Sequence, residues 1–357
     1  MIAEEKSEEQ YLKGRGAQFN PHNHFLAHSY VREHVEGIDD WENENNKTSF
    51  IIGKSKSIVN KVDSPDVGMA YSLNPYQGCE HGCTYCYARN AHEYWGFSAG
   101  LDFERKIIVK KDAPLLFKKF LERKGWDATT ISLSGNTDCY QPAEREYKLT
   151  RQLLEIALAY RQPIGLITKN SLILRDLDIL QEMAKLNLCL AYVSINSLNE
   201  KLRAKMEPRT TTIKQRLRVV EELSKAGIPT GVMVAPLVPG LSDHEIPAIL
   251  KTIAGCGATS AGYTVVRLNG AIGPIFEDWL RQNFPDRFDK VWHMIQSCHG
   301  GQVNDSRFGE RMKGDGQIAK IINDTFKLHC RINKLNTKTF RLDSSLFTVP
   351  KAQMSLF

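Results

Sequence analysis

Short apolar, β-branched runs alternate with longer amphipathic stretches along most of this chain, and the alternation begins near Met69. A strand-sized run followed by a helix-sized period, repeated, is the pattern of βα units around a parallel sheet. Six such units are present. MAYSLNPY supplies the first strand and ends at a cysteine-rich loop, after which a helix is expected to start near Tyr87. TTISLS (129–134) is the second strand, followed by a helix from about Ala143 to Tyr160 whose Leu149, Leu153, Ile156, Ala157 and Tyr160 share one face. PIGLITK (163–169) leads into a helix carrying Leu172, Leu177, Leu180 and Ala184. LCLAYVSIN (188–196) is near-continuously apolar, as expected of a strand covered on both faces. IPTGVMVAPLVPG (228–240) and TSAGYTVVRL (259–268) complete the set, with a helix of Ile246, Ile249, Leu250 and Ile253 between them.

Six parallel strands fall short of the eight that close a full barrel, so the expected fold is α/β, a partial (β/α)6 TIM-like barrel with its site beyond the C-terminal strand ends. An irregular polar arm (1–67) precedes this core (68–270), because RGAQFNPHNHF and DDWENENNK break any regular period. A helical C-terminal extension (271–335) follows, where PIFEDWLRQNFPDRFDKVWHMIQSC and GQIAKIINDTFKLHCRINKL show i, i+3, i+4 apolar spacing. These are expected to form one or two helices that close the bottom or side of the barrel. The last stretch (336–357) is mixed, and a flexible tail is expected there.

Composition narrows the class. With 42% hydrophobic and 25% charged residues the chain is an ordinary globular one, which excludes disorder, collagen and a disulfide-stapled miniprotein. MIAEEKSEEQ is charged from its start, no secretory leader is expected, and no apolar run approaches the ~18 residues that span a bilayer. A cytoplasmic location without membrane contact follows as the expectation. There, eight cysteines are metal ligands, reactive thiols or core residues more readily than disulfides. The net charge of +6 is uneven: residues 1–60 carry 7 Lys/Arg against 10 Asp/Glu, and residues 301–357 carry 10 against 5. A polyanionic partner is allowed, although no dense basic run demands one.

The chemistry concentrates in SLNPYQGCEHGCTYCYARN, where Cys79, Cys83 and Cys86 form C-x3-C-x2-C. Three thiolates so close can ligate one centre, and all-sulfur ligation suits zinc or an iron–sulfur cluster. Structural zinc wants four ligands, here completed by His81 or His92, whereas a [4Fe–4S] cluster held by three cysteines keeps one iron open. Gly78 and Gly82 fit a loop wrapping a bulky inorganic core.

This motif, with an aromatic before its third cysteine and a strand in front, resembles the radical S-adenosylmethionine superfamily over roughly residues 69–270. The resemblance implies a [4Fe–4S] cluster whose open iron is chelated by S-adenosylmethionine, cleaved reductively to methionine and a 5′-deoxyadenosyl radical that abstracts hydrogen from substrate. It also implies an electron donor such as flavodoxin or ferredoxin. SPDVGMAYSLNPYQGCEHGCTYCYAR, GLDFERKIIVKKDA, SGNTDCYQPAEREYKLTRQLLEI, LITKNSLILRDLDIL, VMVAPLVPGLSDHEI and GRGAQFNPHNHF resemble the group within that superfamily related to spore photoproduct lyase, a DNA repair enzyme. Damaged or modified DNA is the substrate so implied; RNA, peptide or metabolite modification and a non-catalytic iron–sulfur redox sensor are the alternatives.

Carried over position by position, the resemblance puts Tyr85 and Tyr87 near the adenine, with Pro236 in Val234-Ala235-Pro236 flanking it. Where many relatives carry Gly-Gly-Glu to hold the cofactor's amine, this chain has Ser134-Gly135-Asn136-Thr137-Asp138. Thr137 or Asp138 would serve that amine by charge-assisted hydrogen bonding, or Asp138 caps the turn before Pro142. Lys169 resembles the lysine that meets the cofactor carboxylate, and Ser194 and Asn196 suit ribose hydroxyls. Arg209, in KMEPRTT, either reaches the same carboxylate or pairs with Glu207. Cys139 lies in the loop where the repair enzyme carries a hydrogen-donating thiol, although not at the same motif position, or is a passive small side chain beside Tyr140. Tyr140, Gln141 and Arg145 line the substrate side, or the latter two face water from a first helical turn. Finally, Gln353, Met354, Leu356 and Phe357 resemble the pentapeptide by which bacterial repair proteins bind the DNA polymerase sliding clamp; the alternative is a tail that folds back and buries Phe357.

Overall fold

The structure is a computed structural model and describes residues 11–26 and 47–350. Its strands, in chain order, are β1 (Ser49–Ile52), β2 (Val59–Lys61), β3 (Tyr71–Leu73), β4 (Tyr76–Gln77), β5 (Lys106–Val109), β6 (Ile131–Leu133), β7 (Ile164–Thr168), β8 (Cys189–Ser194), β9 (Thr230–Leu237) and β10 (Ser260–Val265). The main sheet runs β10-β9-β8-β7-β6-β3-β2, and all its pairings from β3 to β10 are parallel. These six strands are the six expected, in sequence order, each followed by a crossover to its neighbour. No pairing joins β10 back to β2, so the barrel is open at that seam.

Openness accounts for one departure from expectation. Along β8, Cys189, Ala191 and Val193 are buried while Leu190 and Tyr192 are only half-buried, and β7 and β10 alternate in the same way. The helix-facing side of the sheet is sealed and the concave side is not, so the strand is not covered equally on both faces. Asp66, on the loop between β2 and β3, pairs with Arg311 and accepts Gly309 N at 2.6 Å, while the Val265 N–H bonds to the Met312 carbonyl at 2.9 Å. A polar clasp therefore spans the seam.

The helices are α1 (Leu101–Arg105), α2 (Ala113–Leu121), α3 (Glu144–Tyr147), α4 (Leu149–Ala159), α5 (Leu177–Lys185), α6 (Glu200–Met206), α7 (Ile213–Lys225), α8 (Ile246–Gly255), α9 (Ile272–Asn283), α10 (Phe288–Ser297) and α11 (Gly316–Ile332). The single helix expected from Ala143 to Tyr160 is broken at Lys148, which takes φ +50°. The buried Glu144 carboxylate lies under that break and accepts Thr150 N at 3.0 Å and Arg151 N at 3.4 Å, capping α4 in the manner of an N-cap side chain.

Three further corrections concern the flanks. The arm is not irregular throughout: β1 pairs in parallel with β5 and β2 antiparallel with β3. The extension forms three helices, and α9 and α10 cover the site end of the barrel, where Phe276, Trp279, Leu280 and Ile295 share a core with Cys83, Tyr85, Leu202 and Met206. Only α11 packs on the side, against α8. Residues 336–350 lack helix and strand but are tied to the barrel, by Asp343 N to Asn187 O at 2.9 Å and Thr348 N to Tyr160 O at 3.0 Å. Gln353, Met354, Leu356 and Phe357 lie outside the described residues. No helix of the described residues is long and apolar enough to cross a membrane.

The cysteine loop and the cofactor-facing strand ends

The loop from Gly78 to Cys86 follows β4 and sits over the C-terminal ends of the parallel strands. Cys79 and Cys83 are buried and Cys86 is half-buried. Burial pushes all three thiols above the ordinary cysteine range, and Cys86 adds to the rise at both Cys79 and Cys83. Thiols so placed become thiolates when a metal supplies the opposing charge.

The loop is braced from three directions. Arg89, fully buried, donates Nε to the Cys83 carbonyl at 2.9 Å, Nη1 to the carbonyls of Ala99 and Gly100, and Nη2 to Glu104 at 2.5 Å. The buried Glu104 also accepts Gly16 N at 3.1 Å and Ala17 N at 2.8 Å, which draws the N-terminal RGA segment onto the loop. Contact there is so close that a Cβ on Gly16 would lie 1.7 Å from the Gly82 carbonyl oxygen, a position only glycine can hold. From the barrel side, Gln141 donates to Gly78 O at 3.0 Å and accepts Glu80 N at 3.0 Å. Gln141 is thus a buried brace and lines no substrate space, whereas Arg145 is exposed on α3.

Neither histidine completes a zinc site. His81 Nε2 takes a hydrogen from Asn170 Nδ2 at 3.1 Å, because Asn170 Oδ1 is already committed to Leu172 N, and Nδ1 then faces Asp138 at 3.3 Å. His92 is fully buried against the Phe97 and Phe103 rings. Among the described residues no three His, Cys, Asp or Glu side chains converge on a point where a single ion would sit. Thiolates of one zinc ion lie within roughly 4 Å of each other, a spacing a multinuclear cluster does not require.

Facing the loop are the strand-end residues. Lys169, just after β7, is half-buried, and its ammonium stands 5.9 Å from the Tyr85 ring centroid with no hydrogen-bond or ion-pair partner among the described residues. Burial works against its charge, but Cys83 and Glu207 outweigh that and raise its pKa. Asn196, after β8, is buried and donates to the Tyr85 hydroxyl at 3.4 Å, while its Oδ1 has no partner. The exposed ring of Tyr87 reaches across from the loop and bonds Gly135 O at 2.7 Å. Pro236, on β9, is half-buried at the same end. An unpaired cation and an unpaired amide oxygen beside three thiols fit a ligand bearing a carboxylate and sugar hydroxyls.

Other candidates fall elsewhere. Both Asp138 oxygens are filled by protein: Oδ1 accepts Thr168 Oγ1 at 2.8 Å and Tyr140 N at 2.9 Å, and Oδ2 accepts Lys169 N at 2.8 Å and faces His81. Burial would raise its pKa, but His81 and these hydrogen bonds hold it at about 2. With about four lone-pair sites used, it has none left for an amine; it fixes the turn and the start of the Lys169 segment. Thr137 is buried and donates its hydroxyl hydrogen to Tyr76 O at 2.9 Å. Tyr85 is buried and donates its hydroxyl to Glu207. Glu207 pairs with Arg216 at 2.5 Å, and Arg216 bonds the Ser194 carbonyl at 2.9 Å. That network supports the loop from behind. Arg209 neither reaches the cofactor side nor pairs with Glu207; it meets Glu80 and Thr48, each at 3.4 Å, on the outer face of the loop. Cys139 has no exposed surface and sits in the sheet–helix core, its carbonyl taken by Thr150 Oγ1 at 2.6 Å. A thiol sealed in this way has no path by which to hand a hydrogen atom to a product in this conformation.

The braces escape local pattern because their partners are distant: Arg89 to Glu104 spans 15 residues and Tyr85 to Glu207 spans 122. Comparison with known proteins agrees with the geometry. The sequence profile of the Radical SAM superfamily matches residues 73–253, half of the chain. An uncharacterized protein of Mycobacterium tuberculosis is 34% identical over 234 residues, 65% of this chain and 69% of its own length. The radical SAM Nα-GlyT isomerase of Pseudomonas phage M6 is 26% identical over 227 residues, 62% of this chain and 45% of its own. Among solved structures, spore photoproduct lyase complexed with dinucleoside spore photoproduct superposes with a TM-score of 0.60 at 18% identity, covering 84% of this chain and 85% of the other. The fold is shared with that enzyme.

Proposed function

The chain belongs to the radical SAM superfamily, and from that premise we propose that Cys79, Cys83 and Cys86 ligate its [4Fe–4S] cluster while Lys169 binds the carboxylate of S-adenosylmethionine. It is an enzyme whose cofactors are those two groups. When bound, the reduced cluster and S-adenosylmethionine supply a 5′-deoxyadenosyl radical that removes a hydrogen atom from substrate. The chain's own residues bind and orient: Asn196 Oδ1 accepts from a ribose hydroxyl, and Tyr87 with the Pro236 segment flanks the adenine. Ser194 acts through its carbonyl, which anchors Arg216. The observation that carries this reading is the Lys169 ammonium near the Tyr85 ring, within the electrostatic reach of buried Cys83 and without a hydrogen-bond or ion-pair partner among the described residues.

Lys169→Met is expected to raise the KM for S-adenosylmethionine about 10- to 100-fold, the worth of one charge-assisted hydrogen bond, with iron content unchanged. Initial rates of 5′-deoxyadenosine formation against cofactor concentration check it. An unchanged KM assigns the carboxylate to another cation.

The substrate proposed is DNA carrying an ultraviolet lesion. Its support is the fold shared with spore photoproduct lyase, an open concave barrel face, and a C-terminal region with 10 basic against 5 acidic residues. The tail residues Gln353, Met354, Leu356 and Phe357 make the sliding clamp a partner in this reading, and a flavodoxin or ferredoxin the electron donor, both in the cytoplasm. Irradiated duplex DNA is expected to stimulate 5′-deoxyadenosine formation severalfold over unirradiated DNA. Equal rates with both would transfer the search to RNA, peptides and metabolites.

A further inference from the structure

We propose that the groove between β10 and α11 binds the phosphodiester backbone of a nucleic acid, with Lys313, Lys327 and Arg331 as its phosphate contacts. The groove is a cavity of about 580 Å³ on the free edge of the main sheet, and no carboxylate lines it. All three cations are exposed, and none is in an ion pair among the described residues. Surface charges elsewhere on the molecule are commonly neutralised, as in Arg281 with Glu277 and Lys225 with Glu221. Three cations left unpaired around one hollow make a site for anions.

Its shape favours a chain of phosphates over a single one. Lys313 follows Met312, whose carbonyl accepts from Val265 at the C-terminal end of β10, while Asn336 brackets Ala261 near the other end by bonds of 2.9 and 2.8 Å. The groove therefore runs along the strand. Lys327 and Arg331 stand one helical turn apart, about 6 Å along α11, on the scale of the separation between successive phosphates. Tyr263 and Phe326 pack 4.6 Å apart at its floor, an apolar surface beneath the cations. A nucleic acid lying there would run beside the open seam that leads to the concave face. The groove deepens the reading of the substrate as DNA, but it rests on charge and shape independent of the radical chemistry.

The test is fluorescence anisotropy of the full chain with labelled single-stranded DNA, RNA of the same sequence and duplex DNA over a range of salt. The triple variant Lys313→Gln/Lys327→Gln/Arg331→Gln is expected to bind about 10- to 100-fold more weakly at low salt, with a log–log salt slope smaller by about 2. A control, Lys119→Gln/Lys251→Gln/Lys290→Gln, removes as much charge from exposed positions outside the groove and off α11, and is expected to leave both values near wild type. Equal losses in the two variants, no binding of any nucleic acid by wild type, or binding of an acidic polypeptide in its place would each overturn the proposal. The DNA and RNA arms identify which backbone is taken. S-adenosylmethionine cleavage in the same preparations separates the two claims. Cleavage without nucleic-acid binding sinks only the groove, and binding without cleavage sinks only the radical assignment.

Discussion

Replacing Cys83 by alanine is expected to abolish S-adenosylmethionine cleavage altogether and to lower bound iron sharply after anaerobic reconstitution. Cys83 is the cysteine most tightly integrated with the rest of the site. Its thiol is buried, its carbonyl is held by Arg89, and its electrostatic neighbours are Glu207, Lys169, Cys86 and Arg216. Removing one of three thiolates leaves two on a loop that offers no other soft ligand, since His81 is engaged by Asp138 and Asn170. The cofactor cannot be cleaved without the cluster, so the expected loss is to background and not partial. Cys189→Ala, in the sheet–helix core far along the chain from the loop, is expected to keep full iron content at some cost in stability. Equal iron and activity in Cys83→Ala and wild type would remove the motif from the chemistry.

Arg89→Leu is expected to destabilise the fold by about 3–5 kcal/mol, the cost of leaving a buried partner charge uncompensated. Both side chains of the Arg89–Glu104 pair have no solvent exposure, so water cannot take the place of the lost guanidinium. Four acceptors would lose their donor together: the Glu104 carboxylate and the carbonyls of Cys83, Ala99 and Gly100. Because Glu104 would still hold Gly16 and Ala17, the cysteine loop loosens before the N-terminal segment leaves. Urea unfolding of the metal-free chain reads the stability, and iron uptake reads the loop. The neutral pair Arg89→Leu/Glu104→Leu is expected to recover part of the loss, as double changes at coupled buried charges do. A single-variant loss below about 1 kcal/mol would show that the pair does not brace the loop.

The barrel was legible because its signal repeats: six β-branched runs, each followed by helical spacing, place all six parallel strands within a few residues. The cysteine spacing was equally plain, since three soft ligands in eight residues need no tertiary context. What was missed is tertiary. β1 and β5 are four residues each and take their strand geometry from distant partners, β1 from β5 with Ser49 opposite Lys106, and β5 also from β4 with Val109 opposite Tyr76. The break at Lys148 depends on the Glu144 carboxylate folding under the next helix. Asp138 looked like a cofactor ligand because a carboxylate after the second strand invites that role, yet its four acceptor sites are filled by groups from three segments. Likewise the arginine that pairs Glu207 is Arg216 and not nearby Arg209, a choice made by where α7 enters and not by local sequence.

The central claim is reductive cleavage of S-adenosylmethionine at the Cys79–Cys83–Cys86 loop. Its most direct test is the wild-type chain reconstituted anaerobically with iron and sulfide, reduced with dithionite and assayed for 5′-deoxyadenosine and methionine. Both products are expected in equal amounts, dependent on reductant. A full, reducible cluster that leaves S-adenosylmethionine intact would contradict that claim and make the protein a sensor.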